Sequence, residues 1–355
     1  MAFINNITKA DLNVCEPAAS FLQSAMWGEF KSRFGWKSRA FLIEWSGYAA
    51  GPLLLLSRRL APGFSFAYVP WGPNLPDNFS AADRTAALSE LAVKLKPLLS
   101  RNTTFIRFDP PWAVNDGEDT LPLSSNFKRA AADIQPPDTV IIDLSAPENE
   151  ILAAMKPKWR YNISLAGKKG VQLNSGGAQE IEKFYSLLKE TAQRDGIAIH
   201  SIDYYKTLFE ICDTYPESDL SLRLYTASNE GDTLAAVVVL FRGNTATYLY
   251  GASSNIKRNL MATYALQWKA MQDAKGSGCI YYDLFGIPPD DNPNHPMSGL
   301  YQFKTGFGGR IIHRPGSWDF PYKTFVYNLF NFAEAFRKKK RDSKKHIAIN
   351  PNSKV

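Results

Sequence analysis

Lysine and aspartate side chains in two stretches of this sequence are suited to stabilising an oxyanion and to moving a proton. Lys304 follows Phe303 in YQFKTGFGG, and Asp109 closes the apolar stretch TFIRFDPPW. A lysine ammonium can balance the charge of a tetrahedral intermediate, and a carboxylate at a strand end can accept a proton or orient an amine. Taken alone, Lys304 is more typical of a surface lysine after a buried strand. A second strand-end acid, Asp283 in CIYYDLFGI, is expected to hold backbone amides of the turn that follows it.

The window Ile151–Gly170, ILAAMKPKWRYNISLAGKKG, is charged with one sign only. It contains no acidic residue, and its bases are Lys156, Lys158, Arg160, Lys168 and Lys169. A charged helix face is most often simply solvated, but basic residues at this density also suit a polyanionic partner.

Apolar residues in the same window predict a helix that is buried on one side. Every fourth residue is apolar, at Ile151, Met155, Trp159 and Ile163. Pro157 cannot donate an N–H group, so we expect the helix to break or restart there. Upstream, SAPE at Ser145–Glu148 fits a capping box that starts the helix, and Gly170 fits its end.

Length and composition predict a globular protein of two domains. The chain has 355 residues, of which 45% are apolar and 13% aromatic. The three cysteines form no CxxC pair, and the histidines show no ligand spacing, so we expect reduced thiols and no metal. The sequence lacks a signal-peptide pattern and an apolar run of the roughly 20 residues that cross a bilayer. A cytoplasmic location is therefore expected.

The net charge of +7 is concentrated in two places. One is the window described above, and the other is Arg337–Lys345, RKKKRDSKK, with seven bases and one acid. The second stretch is equally consistent with a solvated terminus and with a binding segment. Together with the preceding FVYNLFNFAEAF, it would suit peripheral contact with anionic lipid at the inner face of a membrane.

The same order of elements occurs twice along the chain. In each half a helix is followed by a three-stranded meander, a second helix and a strand that carries an acid near its end. The strands are FLIEW, GPLLLLSRR, FSFAYVPWGP and TFIRFD in the first half, and SLRLYTA, TLAAVVVLF, TATYLYGASS and CIYYD in the second. This order predicts an α/β (α+β) fold of two tandem GNAT-like acyltransferase domains, with mixed, mainly antiparallel sheets flanked by helices and separated by a cleft. The Gly-rich loop that cradles coenzyme A is missing after either meander, which argues against an acyl-CoA donor.

Several motifs in order resemble the Fem-type (FemABX) peptidyltransferases. MKPKWRYNISLAGKKGV resembles the segment K-x-K-W-R-x-N-I-x-x-A-x-x-x-G-V of that family. Downstream, YLYGASS, ALQW, YYD and SGLYQFKTGFGG follow the family's order, and LQSAMWGEFKSRFGWKS and YVPWGP extend the likeness toward the N-terminus. No sustained heptad pattern indicates the coiled-coil arm that some members carry, so the short form is expected.

The resemblance implies transfer of an amino acid from aminoacyl-tRNA to the side-chain amine at position 3 of the peptidoglycan stem peptide. It implies a precursor-binding domain at 1–145 plus 317–355, to which the last helix returns, and an acyl-transfer domain at 146–316. The co-substrate would be aminoacyl-tRNA, with no cofactor, and the acceptor UDP-MurNAc-pentapeptide or lipid II. Lys304 would stabilise the oxyanion, with Phe303 near the transfer centre, and the basic window would follow tRNA phosphates.

Further substrate-binding residues are implied by the same resemblance: Trp36, Lys37, His200, Tyr204, Tyr205, Tyr250 and Tyr301. Among them Lys37 matches a lysine that similar proteins use to hold a diphosphate. His200 stands near the position where relatives often place an arginine. Because an imidazole is largely neutral at pH 7, His200 would not replace the charge of that arginine.

Two other functions are compatible with the residues. One is a GNAT-like N-acyltransferase that uses acyl-CoA or acyl carrier protein, whose activity would resist ribonuclease. The other is a non-catalytic protein that binds tRNA or a membrane surface, in which Lys304 would be dispensable. A monomer is expected in each case, and the sequence leaves the transferred amino acid open.

Overall fold

The computed structural model describes residues 2–114, 126–215 and 219–333 and divides the chain into two compact units. Unit 1 comprises Met1–Cys15, Gly35–Gln135 and Pro315–Val355, and unit 2 comprises Glu16–Phe34 and Pro136–Arg314. Relative to the expected boundaries, unit 2 begins ten residues earlier and takes in an N-terminal segment. The basic stretch Arg337–Lys345 lies outside the described residues.

Unit 1 is built on one mixed sheet. Its described elements are β1 (Ile4–Ala10), β2 (Lys37–Trp45), β3 (Gly51–Ala61), β4 (Phe64–Val69), α2 (Ala81–Leu95), β5 (Thr103–Phe108), β6 (Lys128–Arg129) and β14 (Trp318–Pro321). The strand order is β1-β2-β3-β4-β5-β14-β6. Strand β3 buries four consecutive leucines, Leu53–Leu56, so both faces of the sheet are covered there. Helix α2 begins at a Ser80–Asp83 capping box and buries Leu88, Leu91 and Leu95.

Unit 2 is built on a second sheet with helices around it. Its helices are α1 (Ala25–Ser32), α3 (Glu148–Ala154), α4 (Pro157–Lys168), α5 (Ile181–Asp195), α6 (Ile202–Asp213), α7 (Ala262–Gly276) and α8 (Ser298–Thr305). Its strands are β7 (Thr139–Asp143), β8 (Gln172–Gly176), β9 (Leu220–Asn229), β10 (Asp232–Arg242), β11 (Thr245–Ser253), β12 (Tyr281–Gly286) and β13 (Arg310–Ile312). The order is β13-β7-β12-β11-β10-β9-β8.

The duplication read from the sequence is present in the strand pairing. Strands β2, β3 and β4 form an antiparallel meander and β4 pairs in parallel with β5. Strands β9, β10 and β11 form the same meander, and β11 pairs in parallel with β12. In each sheet an antiparallel strand from elsewhere in the chain lies beyond the acid-bearing strand: β14 beside β5, and β7 beside β12. Because β7 pairs with β12, residues 139–143 belong to unit 2 and not to the first domain.

The last described helix, residues 324–333, packs on β5 within unit 1. Tyr327 is fully buried, its ring lies 5.2 Å from that of Phe105, and its hydroxyl donates to Asp319 at 3.0 Å. Asp319 in turn forms a buried bidentate ion pair with Arg107. This pairing of complementary charges attaches β14 to β5.

The basic window folds as two helices with a break at the expected place. Helix α3 ends at Ala154 and α4 begins at Pro157, which occupies a first-turn position where the missing N–H group costs nothing. Gly170 has φ +76°, and the N–H groups of Gly170 and Val171 donate to Gly167 and Ala166. These contacts form a Schellman motif. The expected capping box is wrong, because Ser145 donates its hydroxyl to Asp143 and α3 starts at Glu148 without a side-chain cap.

Candidate functional site

In unit 2 the two parallel strands separate where the expected catalytic lysine lies. Strand β11 pairs with β12 only from Thr245↔Tyr281 to Thr247↔Asp283, and β11 then continues along β10 to Ser253. Beyond Asp283, the register of β12 against β7 shifts and Phe285 adopts φ +57°. Left-handed backbone is unusual for a phenylalanine, and such conformations concentrate at functional sites. The carbonyl groups of Phe285 and Gly286 lie beyond the last described pair of β12 with β11.

Lys304 supplies hydrogen bonds to those carbonyl groups. Its Nζ atom donates to Gly286 O at 2.8 Å and to Phe285 O at 3.3 Å, and it lies 5.0 Å from the centre of the Tyr248 ring. The residue is only 6% exposed, so the interpretation as a surface lysine is wrong. Burial lowers the pKa of Lys304 to about 7, partly opposed by the negative charge of Asp283. Near neutral pH the amine therefore exists in both its charged and its neutral form.

The ring of Tyr248 packs against the amine of Lys304. Its hydroxyl lies against Gly251, where an added Cβ would overlap the tyrosine ring. Gln267, on α7, accepts a hydrogen bond from the Tyr282 hydroxyl at 2.7 Å, while its buried Nε2 atom has no hydrogen-bond partner among the described residues. Burial raises the pKa of Tyr248 to about 12, so the tyrosine stays neutral under the lysine. A neutral aromatic face stabilises a nearby ammonium.

Lys156 and Trp159 of the basic window contact the helix that carries Lys304 and the residue that follows it. The indole Nε1 of Trp159 donates to Phe303 O at 2.9 Å, and Lys156 N donates to Gly306 O at 2.9 Å. An added Cβ on Gly306 would overlap the Trp159 ring, so this close packing requires glycine. The Phe303 ring packs against Tyr264 and Phe307, with centroids 5.2 Å away in both cases. Phe303 is therefore placed next to the lysine by the helix that bears the bases.

Asp283 fixes the turn that presents the two carbonyl groups. Its Oδ1 atom accepts the Phe285 N–H at 2.8 Å and also accepts the hydroxyl of Thr139 on β7. The expectation that Asp283 holds backbone amides of this turn is confirmed. By stabilising the unusual backbone of Phe285, the carboxylate positions Lys304 indirectly.

Asp109 occupies the corresponding place in unit 1. Its carboxylate is 3% exposed and accepts hydrogen bonds from the hydroxyls of Tyr68 and Ser317 and from Gln135 N at 3.3 Å. Burial raises the pKa of Asp109 to about 6, against the opposing effect of these donors. The Ser317–Asp109 contact repeats the Thr139–Asp283 contact of unit 2, because Ser317 directly precedes β14 as Thr139 opens β7.

Trp36 and Lys37 lie in unit 1 beside this carboxylate cluster. The Trp36 ring packs on Phe66 and on Tyr68, with centroids 5.4 and 5.9 Å away, and the guanidinium of Arg58 lies 5.5 Å from its centre. Lys37 opens β2 opposite Ser57 and is exposed. The cation that contacts the Trp36 ring is thus Arg58 on β3, and Lys37 adds a second, exposed base at the start of β2.

Three of the expected tyrosines come together in unit 2 with His200. Tyr204 and Tyr205 on α6 are buried, and the ring of Tyr205 lies 5.2 Å from that of Tyr250 on β11. The His200 imidazole stacks on Tyr204 with centroids 3.8 Å apart. Lys31 on α1 donates to the Tyr204 hydroxyl at 3.4 Å and lies 5.4 Å from its ring centre. Charge at this cluster thus comes from Lys31, which the motif comparison missed.

The five bases of the window are all exposed, and two of them have side-chain contacts. The Nζ atom of Lys156 lies 5.8 Å from the centre of the Trp159 ring. Arg160 donates to the carbonyl oxygens of Ala153 and Met155 at 2.9 and 2.7 Å. These are the terminal carbonyl groups of α3, which otherwise lack intrahelical partners.

Tyr301 lies on α8 three residues before Lys304 and is half-buried. Burial and the charges of Asp291 and Asp290 raise its pKa.

Lys31 and Tyr248 had weak signals in the sequence. Lys31 lies four residues after Trp27, on the same face of a short helix, and it is 5.4 Å from that ring as well. Tyr248 lies two residues before Tyr250 on β11, a spacing that places both on one face of a regular strand, but the register of β11 against β10 shifts between them, so this spacing did not reveal the place of Tyr248. No group of three His, Cys, Asp or Glu residues suited to a metal ion occurs in the described ranges. All three cysteines are buried thiols.

The duplicated sheet with separating parallel strands is the architecture of a tandem acyltransferase-like protein. The model of the FemAB family matches residues 14–130, 125–228 and 219–335. The chain therefore belongs to the FemAB family.

Curated relatives and solved structures agree with this assignment. Lipid II:glycine glycyltransferases of Staphylococcus epidermidis and Staphylococcus aureus are 22% identical over 88% of this chain and 90% of theirs. A crystal structure of FemX superposes with a TM-score of 0.77 and 20% identity, over 92% of this chain and all of that one. A tandem GNAT protein from the clavulanic acid biosynthesis pathway gives a TM-score of 0.51 at 12% identity, over 88% of this chain and 97% of that one. Both structural matches concern the fold.

Proposed function

We propose that this chain transfers an amino acid from aminoacyl-tRNA to the side-chain amine at position 3 of the peptidoglycan stem peptide, as a step in building the interpeptide bridge. The observation that carries the proposal is a buried lysine between separating strands of an acyltransferase-like sheet, in a member of the FemAB family. The named relatives act as lipid II:glycine glycyltransferases, which supports a stem-peptide precursor as the acceptor.

In the proposed reaction the neutral acceptor amine attacks the ester carbonyl of the aminoacyl-tRNA. A C–N bond forms, and the carbonyl oxygen gains negative charge next to the ammonium of Lys304. Collapse of this intermediate breaks the ester C–O bond, and the proton lost by the amine ends on the departing ribose hydroxyl. A fixed positive charge in a site shielded from water lowers the energy of the intermediate without reorganisation.

The other site residues would bind and orient the two substrates. Lys37 beside Trp36 would hold a precursor diphosphate, and the cluster of Tyr204, Tyr205 and Tyr250 would contact its sugar–peptide portion, with Tyr301 nearer Lys304. Asp109 would act as the proton acceptor of unit 1, because a pKa of about 6 suits a general base near neutral pH. The bases from Lys156 to Lys169 would follow the phosphates of the tRNA acceptor stem.

The acceptor would be either the lipid-linked precursor or its soluble UDP-linked form. Relatives named for lipid II favour the first, and the enzyme would then work in the cytoplasm at the inner face of the membrane, as a monomer. None of the described helices is long and apolar enough to cross a bilayer. Contact with the membrane would therefore be peripheral.

One experiment tests donor, acceptor and class together. The protein is incubated with a mixed aminoacyl-tRNA pool and a water-soluble stem-peptide precursor, and the precursor mass is measured. We expect a gain of one amino-acid residue that ribonuclease abolishes and that Lys304→Ala reduces by about a hundredfold or more. Activity that survives ribonuclease and requires acyl-CoA would identify the GNAT-like alternative instead. No mass gain with any donor, combined with tRNA binding, would point to a non-catalytic protein.

A further inference from the structure

The helix at residues 324–333 of unit 1 is apolar on two opposite faces. Its inner face carries Tyr327, which is 1% exposed, and Phe330, whose ring lies 5.5 Å from that of Phe105. Its outer face carries three large apolar side chains with high exposure: Phe325 at 82%, Leu329 at 61% and Phe332 at 73%. A surface helix of a soluble domain normally has one apolar stripe and turns polar residues to water. The described part of unit 1 leaves the outer stripe of this helix uncovered.

The outer side chains form one continuous ridge. At 3.6 residues per turn, positions 325, 329 and 332 fall within an arc of about 60°. Single exposed hydrophobic residues are ordinary, whereas contiguous exposed patches mark interaction sites. Phe325 and Phe332 are the two most exposed large apolar residues in the described part of the chain. Tyr327 and Phe330 pack on Phe105, and Tyr327 also binds the buried Asp319. These contacts set the orientation of the helix, so the ridge faces away from the sheet.

The charge of the neighbouring sequence indicates what covers this ridge. Beyond residue 333 the sequence includes Arg337–Lys345, with seven bases and one acid. Lys323 lies at the other end of the helix and donates to Arg101 O at 2.8 Å, and both residues are basic. An apolar helix face bordered by bases matches the chemistry of an anionic lipid surface, in which acyl chains lie beneath negatively charged headgroups. A protein partner would need no such excess of positive charge.

We propose that the outer face of helix 324–333 is a docking surface for anionic lipid. Phe325, Leu329 and Phe332 enter the boundary between headgroups and acyl chains, and the excess of positive charge in the sequence that follows favours anionic headgroups. The inference deepens the membrane-side location given in the proposed function and rests on it for its biological meaning, but its test needs neither donor nor acceptor. The docking surface brings unit 1, which carries Lys37 and Asp109, to the membrane.

Vesicle binding of the full chain measures this contact. Vesicles of phosphatidylcholine with phosphatidylglycerol, and of phosphatidylcholine alone, are sedimented with the wild-type protein and with the triple variant Phe325→Ser, Leu329→Ser, Phe332→Ser. Because all three side chains are exposed, the variant should fold normally, and its thermal unfolding is measured to verify this. The matched control is Val93→Ser plus Leu98→Ser, which removes exposed apolar side chains from another part of unit 1.

We expect the wild type and the control to bind anionic vesicles equally and the triple variant to bind at least about a hundredfold more weakly, given the free energy of burying such side chains. Added salt should weaken wild-type binding without abolishing it, since the apolar contribution is not screened. Equal binding by the triple variant, or loss of all wild-type binding in salt, would show that the tail alone makes the contact and would overturn the proposal.

Two further outcomes separate this inference from its rivals. A wild-type dimer that the triple variant converts to a monomer, without vesicle binding, would assign the face to a second copy of the chain and overturn the proposal. The triple variant should retain wild-type transfer to the water-soluble precursor. If the wild type itself fails to transfer an amino acid, the proposed function falls, while a positive vesicle result still supports the docking surface.

Discussion

The Nζ atom of Lys304 lies 2.8 Å from the carbonyl oxygen of Gly286, at the point where β12 has left β11. A strand edge thus receives its missing hydrogen bond from a side chain and not from the neighbouring strand. The same lysine is buried and has a pKa of about 7, so the group that completes the sheet can also gain and lose charge near neutral pH. This coupling of structure and charge leads to the first three predictions.

The contribution of Lys304 to the rate of transfer should depend on whether its amine is charged. If the ammonium stabilises the oxyanion, its contribution is present below its pKa of about 7 and disappears as the pH rises above it. The acceptor amine titrates equally for every variant, so the ratio of single-turnover rates of wild type and Lys304→Ala isolates the lysine. We expect this ratio to be constant below pH 6 and to fall about tenfold per pH unit above 7. A ratio that rises with pH would instead assign Lys304 the role of a base.

The same pKa predicts a pH dependence of stability. The folded-state pKa of about 7 lies below the ordinary value of 10.5, so between these values the unfolded chain binds more protons than the folded chain. The free energy of unfolding should therefore rise with pH in this window, by up to about 1.4 kcal/mol per unit, because burying the lysine no longer requires removing its proton. Lys304→Met should lack this part of the rise. Denaturant unfolding of both proteins at pH 7 and pH 9 measures the difference, and parallel curves would contradict it.

Tyr248 should position Lys304 and favour its charged form through the face of its ring. Tyr248→Leu removes the aromatic face, and a desolvated cation–π contact contributes about 2 kcal/mol. In the Tyr248→Leu background, we compare the transfer rates of proteins with lysine and with alanine at position 304. The pH above which this ratio falls should then lie about one and a half units below 7. Tyr248→Phe keeps the aromatic face and loses only the hydroxyl, so its profile should stay near that of the wild type. Equal shifts for both variants would show that the hydroxyl matters and the ring does not.

Much of the fold could be predicted because its signals are local. The alternation of strands and turns, the Pro157 break and the Gly170 stop each depend on a few neighbouring residues, and Asp283 was correctly expected to bind backbone amides. The environment of Lys304 depends on β11 and β12 separating, which is set by contacts far apart in sequence such as Thr139–Asp283. For the same reason, the sequence alone assigns residues 139–143, TVIID, to the first domain, whereas in the structure they form β7 and pair with β12.

The packing of Gly306 against Trp159 should be intolerant of a single methyl group. Gly306→Ala places a Cβ within the Trp159 ring, so the end of α8 and α4 must move apart. The free energy of unfolding should fall by about 1–3 kcal/mol. The matched control is Gly299→Ala in α8, the helix that Gly306 caps, where nothing lies within 4 Å of the added atom. That change should be neutral or stabilise the protein by about 0.5–1 kcal/mol. Thermal unfolding compares the two, and an equal effect would show that the ring moves freely.

The basic window should contribute to the salt dependence of donor use. Lys168 and Lys169 are exposed at the end of α4, and neither takes part in an ion pair among those found in the described residues. Replacing both by alanine should weaken aminoacyl-tRNA binding and reduce the slope of log affinity against log salt by roughly one to two, since fewer counterions are released. Lys183→Ala plus Lys189→Ala removes the same charge from α5 and should leave the slope unchanged. Equal slopes for the wild type and the first variant would exclude these lysines from the tRNA contact, and equal losses in both variants would indicate attraction by net charge alone.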